Sequence, residues 1–462
     1  LKSGTQETLI VTSPCDGAVI AELAEDNGQT LAYKIKQAMN AQENWRKNPR
    51  YVREKLLTDF SEAINANKQS LIDLILYDAG KTEKEATAEV AGAADILKKT
   101  IENAALPEFG GMIRCKERPP VGLVGLITSF NFPLAVAHWT IAPALLAANA
   151  VIWKPSEKTP MIALAIKEIF DGIAGEYADL LQIIIGGREL GSRLVAHEQI
   201  DMISATGSVA MGQGIKAALA QKTNNQAPPI LELGGNNGVI ISDKISDEHL
   251  RWSVGAIMNS FLATSGQRCT NTRRLIVQKN IYDKMLTLLE QNIKNFIASG
   301  AIISPVSNPS NEYGYAALID EDAFQRFESA KTQAQQEGGK ILFGGRLLAK
   351  EYPKAYYIEP ALALMPRQSE IMHKETFAPL IFITAYTDFS EAIELINAPD
   401  NAGLVGGIYT QNKEEAEIFA RANGAGHTLI NSPKGTGTPA FGMGFGGNKE
   451  SGTGEILNNA DP

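Results

Sequence analysis

Cysteine is scarce: Cys15, Cys115 and Cys269 are the only three in 462 residues. Odd in number and far apart, they indicate neither a disulfide framework nor a zinc site, and their scarcity fits a reducing, cytosolic setting. The five histidines, His138, His197, His249, His373 and His427, have no metal-ligand spacing, and H-E-x-x-H is absent, so no metal is expected. Long apolar runs are missing as well. The longest stretch, Pro143 to Trp153, contains Asn149 and falls short of the ~20 residues that cross a bilayer. No signal peptide is read at the N-terminus. Excess positive charge is lacking: 43 Lys and Arg stand against 52 Asp and Glu, a net charge of -9. That balance argues against nucleic acid or an anionic membrane as a partner. Neither a P-loop nor the G-x-G-x-x-G dinucleotide fingerprint occurs.

What is present is an alternating pattern. Residues 9–22 read as short strands around a turn at Asp16-Gly17, and Gln29 to Ala105 reads as helix. Residues 107–120, broken by Pro107, Gly110, Gly111, Pro119 and Pro120, read as an extended arm. Strands are expected at Gly122–Ile127, Ala150–Trp153, Leu181–Ile185, Met202–Ile203 and Pro229–Leu233. Helices are expected at Pro133–Ala150, Pro160–Gly172, Glu189–Ala196 and Val209–Ala220. Strands alternating with helices and bounded by Gly and Pro mark a parallel, doubly wound α/β sheet. A second alternation runs from Val239 to Asn431. The expected division is 1–106 with 121–233, then 234–431, with 107–120 and 432–462 as an arm and anchor.

Several positions carry chemistry. Cys269 follows Ser265-Gly-Gln-Arg268; a neighbouring cation such as Arg268 favours the thiolate that a nucleophile needs. A lone cysteine is otherwise a buried structural residue. Glu232 ends an apolar strand before Gly234-Gly235, and partial burial raises a carboxyl pKa toward that of a general base; the alternative is a structural ion pair. Asn131, in Ser129-Phe-Asn-Phe-Pro133, is either a helix cap or an oxyanion donor. Lys154-Pro-Ser156-Glu157 follows a strand, where nucleotides bind in parallel sheets, although a solvated loop reads equally well. Thr206-Gly207-Ser208 opens a helix, and the N–H groups at that end suit a pyrophosphate.

Taken in order, these blocks resemble the aldehyde dehydrogenase superfamily from about Ser13 to Gly454. Leu231-Glu-Leu-Gly-Gly235, Gly266-Gln-Arg-Cys269, Glu375-Thr-Phe-Ala-Pro379, Phe445-Gly-Gly447 and Ser451-Gly452 complete the set. The resemblance implies Cys269 as nucleophile, Glu232 as general base, and Asn131 with the Cys269 N–H as oxyanion hole. It implies NAD, with NADP as the alternative, held by Lys154, Ser156, Glu157, Gly207, Ser208, Gly234, Glu375 and Phe377. It also implies an aldehyde substrate and a homodimer or homotetramer. Ala205, Ala378 and Gly444 depart from the family's usual residues, none at a position assigned to the chemistry. Around Leu231–Asn237 and Gly266–Arg274 the likeness is to antiquitin-type and succinylglutamate-semialdehyde dehydrogenases. A semialdehyde with a distal carboxylate is therefore the expected substrate, with Arg268 as its partner; the alternative is that Arg268 anchors the catalytic loop. Rival readings are a CoA-acylating enzyme and a non-catalytic protein of the same fold.

Overall fold

The computed structural model describes residues 7–104, 108–109, 112–113, 119–223, 227–307, 315–398, 402–437 and 445–453. Two mostly parallel sheets organise it. The first has five strands in the order Leu181–Ile183, Ala150–Lys154, Leu123–Ile127, Met202–Thr206 and Ile230–Glu232, all parallel. Leu123–Ile127 and Ala150–Lys154 are buried at every position. A parallel sheet covered on both faces needs such runs, which explains why these strands read as continuously apolar.

The second sheet has seven strands: Lys340–Phe343, Ala361–Leu364, Leu380–Tyr386, Thr272–Gln278, Asn237–Ile241, Val405–Tyr409 and His427–Ile430. Only its edge strand Lys340–Phe343 runs antiparallel. The α/β class expected from the alternation is thus the class observed. The long helical stretch divides into Gly28–Trp45, Arg50–Ala66, Lys68–Ala79 and Glu83–Asn103. Breaks fall where Pro49 and Gly80 (φ 65°) stand, residues that stop helices for known reasons.

Some boundaries differ from expectation. The helix placed at Pro133–Ala150 spans Ala135–Leu146, and the strand at Met202–Ile203 continues to Thr206. Polar Ser204 and Thr206 mask that continuation, yet Ser204 is buried and bonds Thr140 at 2.7 Å. The arm expected at 107–120 lies largely outside the described residues; within it Glu108–Phe109 pairs antiparallel with Met112–Ile113. Ser451 and Gly452 return to the first sheet: Leu233 N–H donates to Ser451 O at 2.8 Å, and Glu232 bridges Gly452. Gly403 N–H donates to Ser451 Oγ, which in turn donates to Gly234 O. This short segment therefore pins the strand end that carries Glu232.

Candidate active site

A continuous cavity of about 1350 Å³ runs between the two sheets. Asn131, Lys154, Ser156, Glu157, Gly207, Ser208, Glu232, Gly234, Arg268, Cys269, Glu375 and Phe377 all line it. The sequence-derived set thus converges on one space.

Cys269 stands on the turn between the helix Asp247–Leu262 and the strand Thr272–Gln278. Thr264, Ser265 and Gly266 there have φ of 51°, 53° and 74°. Non-glycine residues resist that region, so the turn must be held from outside. Thr264 N–H and Oγ1 both donate to Glu85 Oε1, and Ser265 Oγ exchanges bonds with Ala316 N–H and O. Gln267 donates to Thr264 O and Ala317 O and accepts from Ile319 N–H. On the far side, Asn237 Nδ2 donates to Cys269 O at 2.7 Å. Gly235 is needed here, because a Cβ on it would lie 2.4 Å from Cys269 O.

Burial pushes the Cys269 thiol up to about 12, helped by Glu375 and Glu232 and opposed by Arg273. Alone, the site therefore holds a neutral thiol. Burial also raises the Glu232 carboxyl to about 8. Among the described residues neither Glu232 oxygen has a hydrogen-bond partner, and the residue is only 6% exposed. Among the described residues no ion pair holds Glu232, and desolvation raises its affinity for a proton.

Asn131 is not the helix cap. Leu134 occupies that position without a side-chain bond, and Glu89 Oε1 accepts from the N–H groups of Leu134 and Ala135 instead. Asn131 Nδ2 donates to Gln267 O at 2.9 Å, and Ser129 Oγ donates to Asn131 Oδ1 at 2.8 Å. One amide hydrogen is committed and the other is left for a ligand.

Arg268 lines the cavity and is engaged by neighbouring side chains. Its Nη2 pairs with Glu85 Oε1 at 2.5 Å and its Nε donates to Thr264 Oγ1 at 2.7 Å. Burial raises the Glu85 carboxyl, but Arg268, Lys81 and the Thr264 hydroxyl together hold it below its ordinary value. The loop-anchoring alternative describes this geometry. Glu85 lies 183 positions before Arg268, and nothing in the local sequence announced it. Thr82 and Glu85 do carry the spacing of a helix start, and Thr82 Oγ1 accepts from Glu85 N–H. Arg273 was also missed as a site residue. Fully buried, it donates to the carbonyls of Gly266 and Arg268 and pairs with Glu375 at 3.5 Å.

The other end of the cavity suits a dinucleotide. Ser208 caps the helix Val209–Leu219 by accepting from Met211 N–H, which leaves its hydroxyl proton free for an anionic oxygen. Lys154 is buried, with Pro155 O at 3.1 Å and Glu157 Oε2 at 3.5 Å, and burial lowers its proton affinity. Glu157 remains partly exposed. Ser156 Oγ accepts from Lys158 N–H. Glu375 Oε1 accepts from Gly235 N–H; a Cβ on Gly234 would lie 2.1 Å from Glu375 Oε2, so only glycine admits that approach. Phe377 (φ 53°) packs edge-on to Phe130. Among the described residues no group of three or more His, Cys, Asp or Glu could hold a metal ion. No helix among them is long and apolar enough to cross a membrane.

Comparison with known proteins agrees with this geometry. The model of the aldehyde dehydrogenase family matches residues 1–460. Lactaldehyde dehydrogenase of Escherichia coli is 33% identical over 434 residues, 91% of this chain and 86% of that protein. A putative aldehyde dehydrogenase family 7 member A1 homolog of Caenorhabditis elegans is 28% identical over 460 residues, 96% of this chain and 82% of that protein. It is an antiquitin relative, in keeping with the local likeness noted above. Betaine aldehyde dehydrogenase of Staphylococcus aureus, solved with NAD+, superposes with a TM-score of 0.88 at 26% identity, covering 100% of this chain and 90% of that one. The chain belongs to the aldehyde dehydrogenase family and is an enzyme that oxidises an aldehyde with a nicotinamide cofactor.

Proposed function

We propose that the enzyme releases a free carboxylic acid through a thioester on Cys269, with water activated by Glu232. The observation that carries this reading is Glu232 itself, a buried carboxyl bonded to nothing on the wall of the cavity that holds Cys269. A structural carboxylate would have partners. A general base needs its lone pairs open and its proton affinity near working pH.

The Cys269 thiol gives up its proton to solvent, a loss that the positive charge of a bound oxidised nicotinamide would favour, and the thiolate attacks the aldehyde carbon, whose carbonyl oxygen becomes an oxyanion. Asn131 Nδ2 supplies its second hydrogen to that oxygen, together with the Cys269 N–H. Bound in the cavity, oxidised nicotinamide supplies the hydride acceptor and a positive charge. Lys154, Ser156 and Glu157 would hold the adenosine end, Gly207 and Ser208 the pyrophosphate, and Gly234, Glu375 and Phe377 the nicotinamide end. As the oxyanion collapses to a carbonyl, the C–H bond breaks and its hydride would pass to the nicotinamide, which leaves the acyl group on sulfur as a thioester. Glu232 then takes a proton from water, the hydroxide adds to the thioester carbon, and the C–S bond breaks.

Incubation with NAD and an aldehyde, without CoA, should give NADH and free acid in equal amounts. A strict requirement for CoA would overturn the reading.

The substrate wall argues for an uncharged, polar aldehyde. Because Glu85 neutralises Arg268, the pair offers donors and acceptors but no net charge, beside the apolar Phe132, Val136 and Trp139. The distal carboxylate expected from the sequence loses its anchor. Arg268→Met should therefore harm a charged and an uncharged aldehyde of equal length alike, and lower stability. A selective loss of kcat/KM for the charged one would restore the semialdehyde assignment. We also read residues 1–106 with 121–233 as the cofactor-binding unit, 234–431 as the catalytic unit, and the rest as an arm. That organisation suits a cytoplasmic homodimer or homotetramer.

A further inference from the structure

Beneath the oxyanion donor lies an ion pair that the chemistry above does not use. Lys81 Nζ sits 2.6 Å from Glu89 Oε2 and 2.6 Å from Asn131 O. Both side chains are 1% exposed. The ammonium also stands 3.9 Å from the centroid of the Phe132 ring. The second oxygen of Glu89 takes the two leading N–H groups of the helix that follows Asn131. Lys81 therefore grips the backbone of the donor residue, and Glu89 grips both Lys81 and the helix start.

A buried pair of this kind is seldom kept for stability alone, since apolar residues of similar volume commonly match or exceed it. What it does supply is a fixed position for one carbonyl, and so for the side-chain amide three bonds further on. Ser129 and Gln267 O complete the clamp by fixing which way that amide faces. Glu85 and the catalytic turn stand next door, with the Lys81 charge acting on Glu85 as well.

We propose that Lys81 and Glu89 are positioning residues for the oxyanion hole, holding Asn131 so that its free amide hydrogen meets the oxygen of the attacked aldehyde. This rests on the reading of Asn131 as oxyanion donor. A displacement of about 1 Å at such a donor can cost roughly 10²-fold in rate.

The test compares Asn131→Ala, Glu89→Gln and the neutral pair Lys81→Met with Glu89→Gln, in the full-length enzyme. Rapid mixing with saturating NAD and aldehyde reads the rate constant of the NADH burst. Alkylation of Cys269 by iodoacetamide and the KM for NAD serve as controls that general damage would move. The paired variant should slow the burst roughly 10–100-fold while both controls hold, and Glu89→Gln alone should slow it less. Should the paired variant fail to fold, Glu89→Gln keeps its acceptor for the helix N–H groups and decides the matter. A wild-type burst in either variant, with Asn131→Ala slow, overturns the positioning role. A wild-type burst in Asn131→Ala would instead bring down the oxyanion reading itself.

Discussion

Asn131 and Glu232 face the same cavity and are both buried, at 5% and 6% exposure, yet their surroundings are opposite. Asn131 is held at three points, its carbonyl by Lys81, its amide oxygen by Ser129 and one amide hydrogen by Gln267, with the other hydrogen left for a ligand. The Glu232 backbone is pinned by Gly207 and Gly452, but its carboxyl oxygens have no hydrogen-bond partner among the described residues. The difference follows from what each group must do. A donor that stabilises developing charge works best when it is already in place and has nothing to reorganise. A base must change its bonding during turnover, so partners that favour the carboxylate would lower its proton affinity and blunt it. One wall is built for stillness and the other for exchange.

Breaking the still wall should have the largest effect. Asn131→Ala removes one oxyanion donor and should lower the burst rate by about 10²–10³-fold, measured by stopped flow, with little change in affinity for NAD. Lys81→Met made alone strands the Glu89 charge, which for a buried pair costs about 3–5 kcal/mol. Urea unfolding should show that loss, and the paired neutral variant should recover much of it. Equal stability in the two would mean that the ion pair is not buried as described.

The exchanging wall can be sharpened by pH. The Glu232 pKa is raised in the folded enzyme from 4.5 to about 8. Its contribution to stability is therefore full below about 4.5 and is lost as pH rises toward and through 8. Wild-type enzyme should lose stability over that window by a few kcal/mol more than Glu232→Gln, which has no proton to release. Parallel thermal-melting curves of the two proteins would count against an isolated Glu232. Deacylation should rise over the upper part of the same window, because only the carboxylate accepts a proton.

The smallest effect concerns the cofactor. Glu157 stands beside Lys154 and is partly exposed. Repulsion of a 2′-phosphate should give a preference for NAD over NADP, and Glu157→Gln should narrow that preference. A wild-type preference for NADP in kcat/KM would reverse the assignment.

The two walls also differ in how far they could be read in advance. Cys269, Glu232 and Asn131 announce themselves through local blocks, because each block encodes a turn or strand end that must be built from neighbours in sequence. The continuous apolar strands were legible for the same reason. What holds those residues was not. Glu85 reaches Arg268 across 183 positions, and Lys81 reaches Asn131 across 50. No periodicity links such partners; only the packed fold selects them. The charge of Arg268 is visible in the sequence and its partner is not, so the sequence leaves both a substrate role and a loop-anchoring role open. Arg273 shows the same blindness, reading as part of a strand while its guanidinium braces the turn below Cys269.

The most direct test of the account is a rapid-mixing experiment on Glu232→Gln with NAD and aldehyde in excess. The isosteric amide cannot take a proton from water and leaves Asn131 and Cys269 in place. One equivalent of NADH should be released at close to the wild-type burst rate, followed by slow turnover as thioester accumulates on Cys269. Steady-state turnover equal to that of the wild type would contradict it.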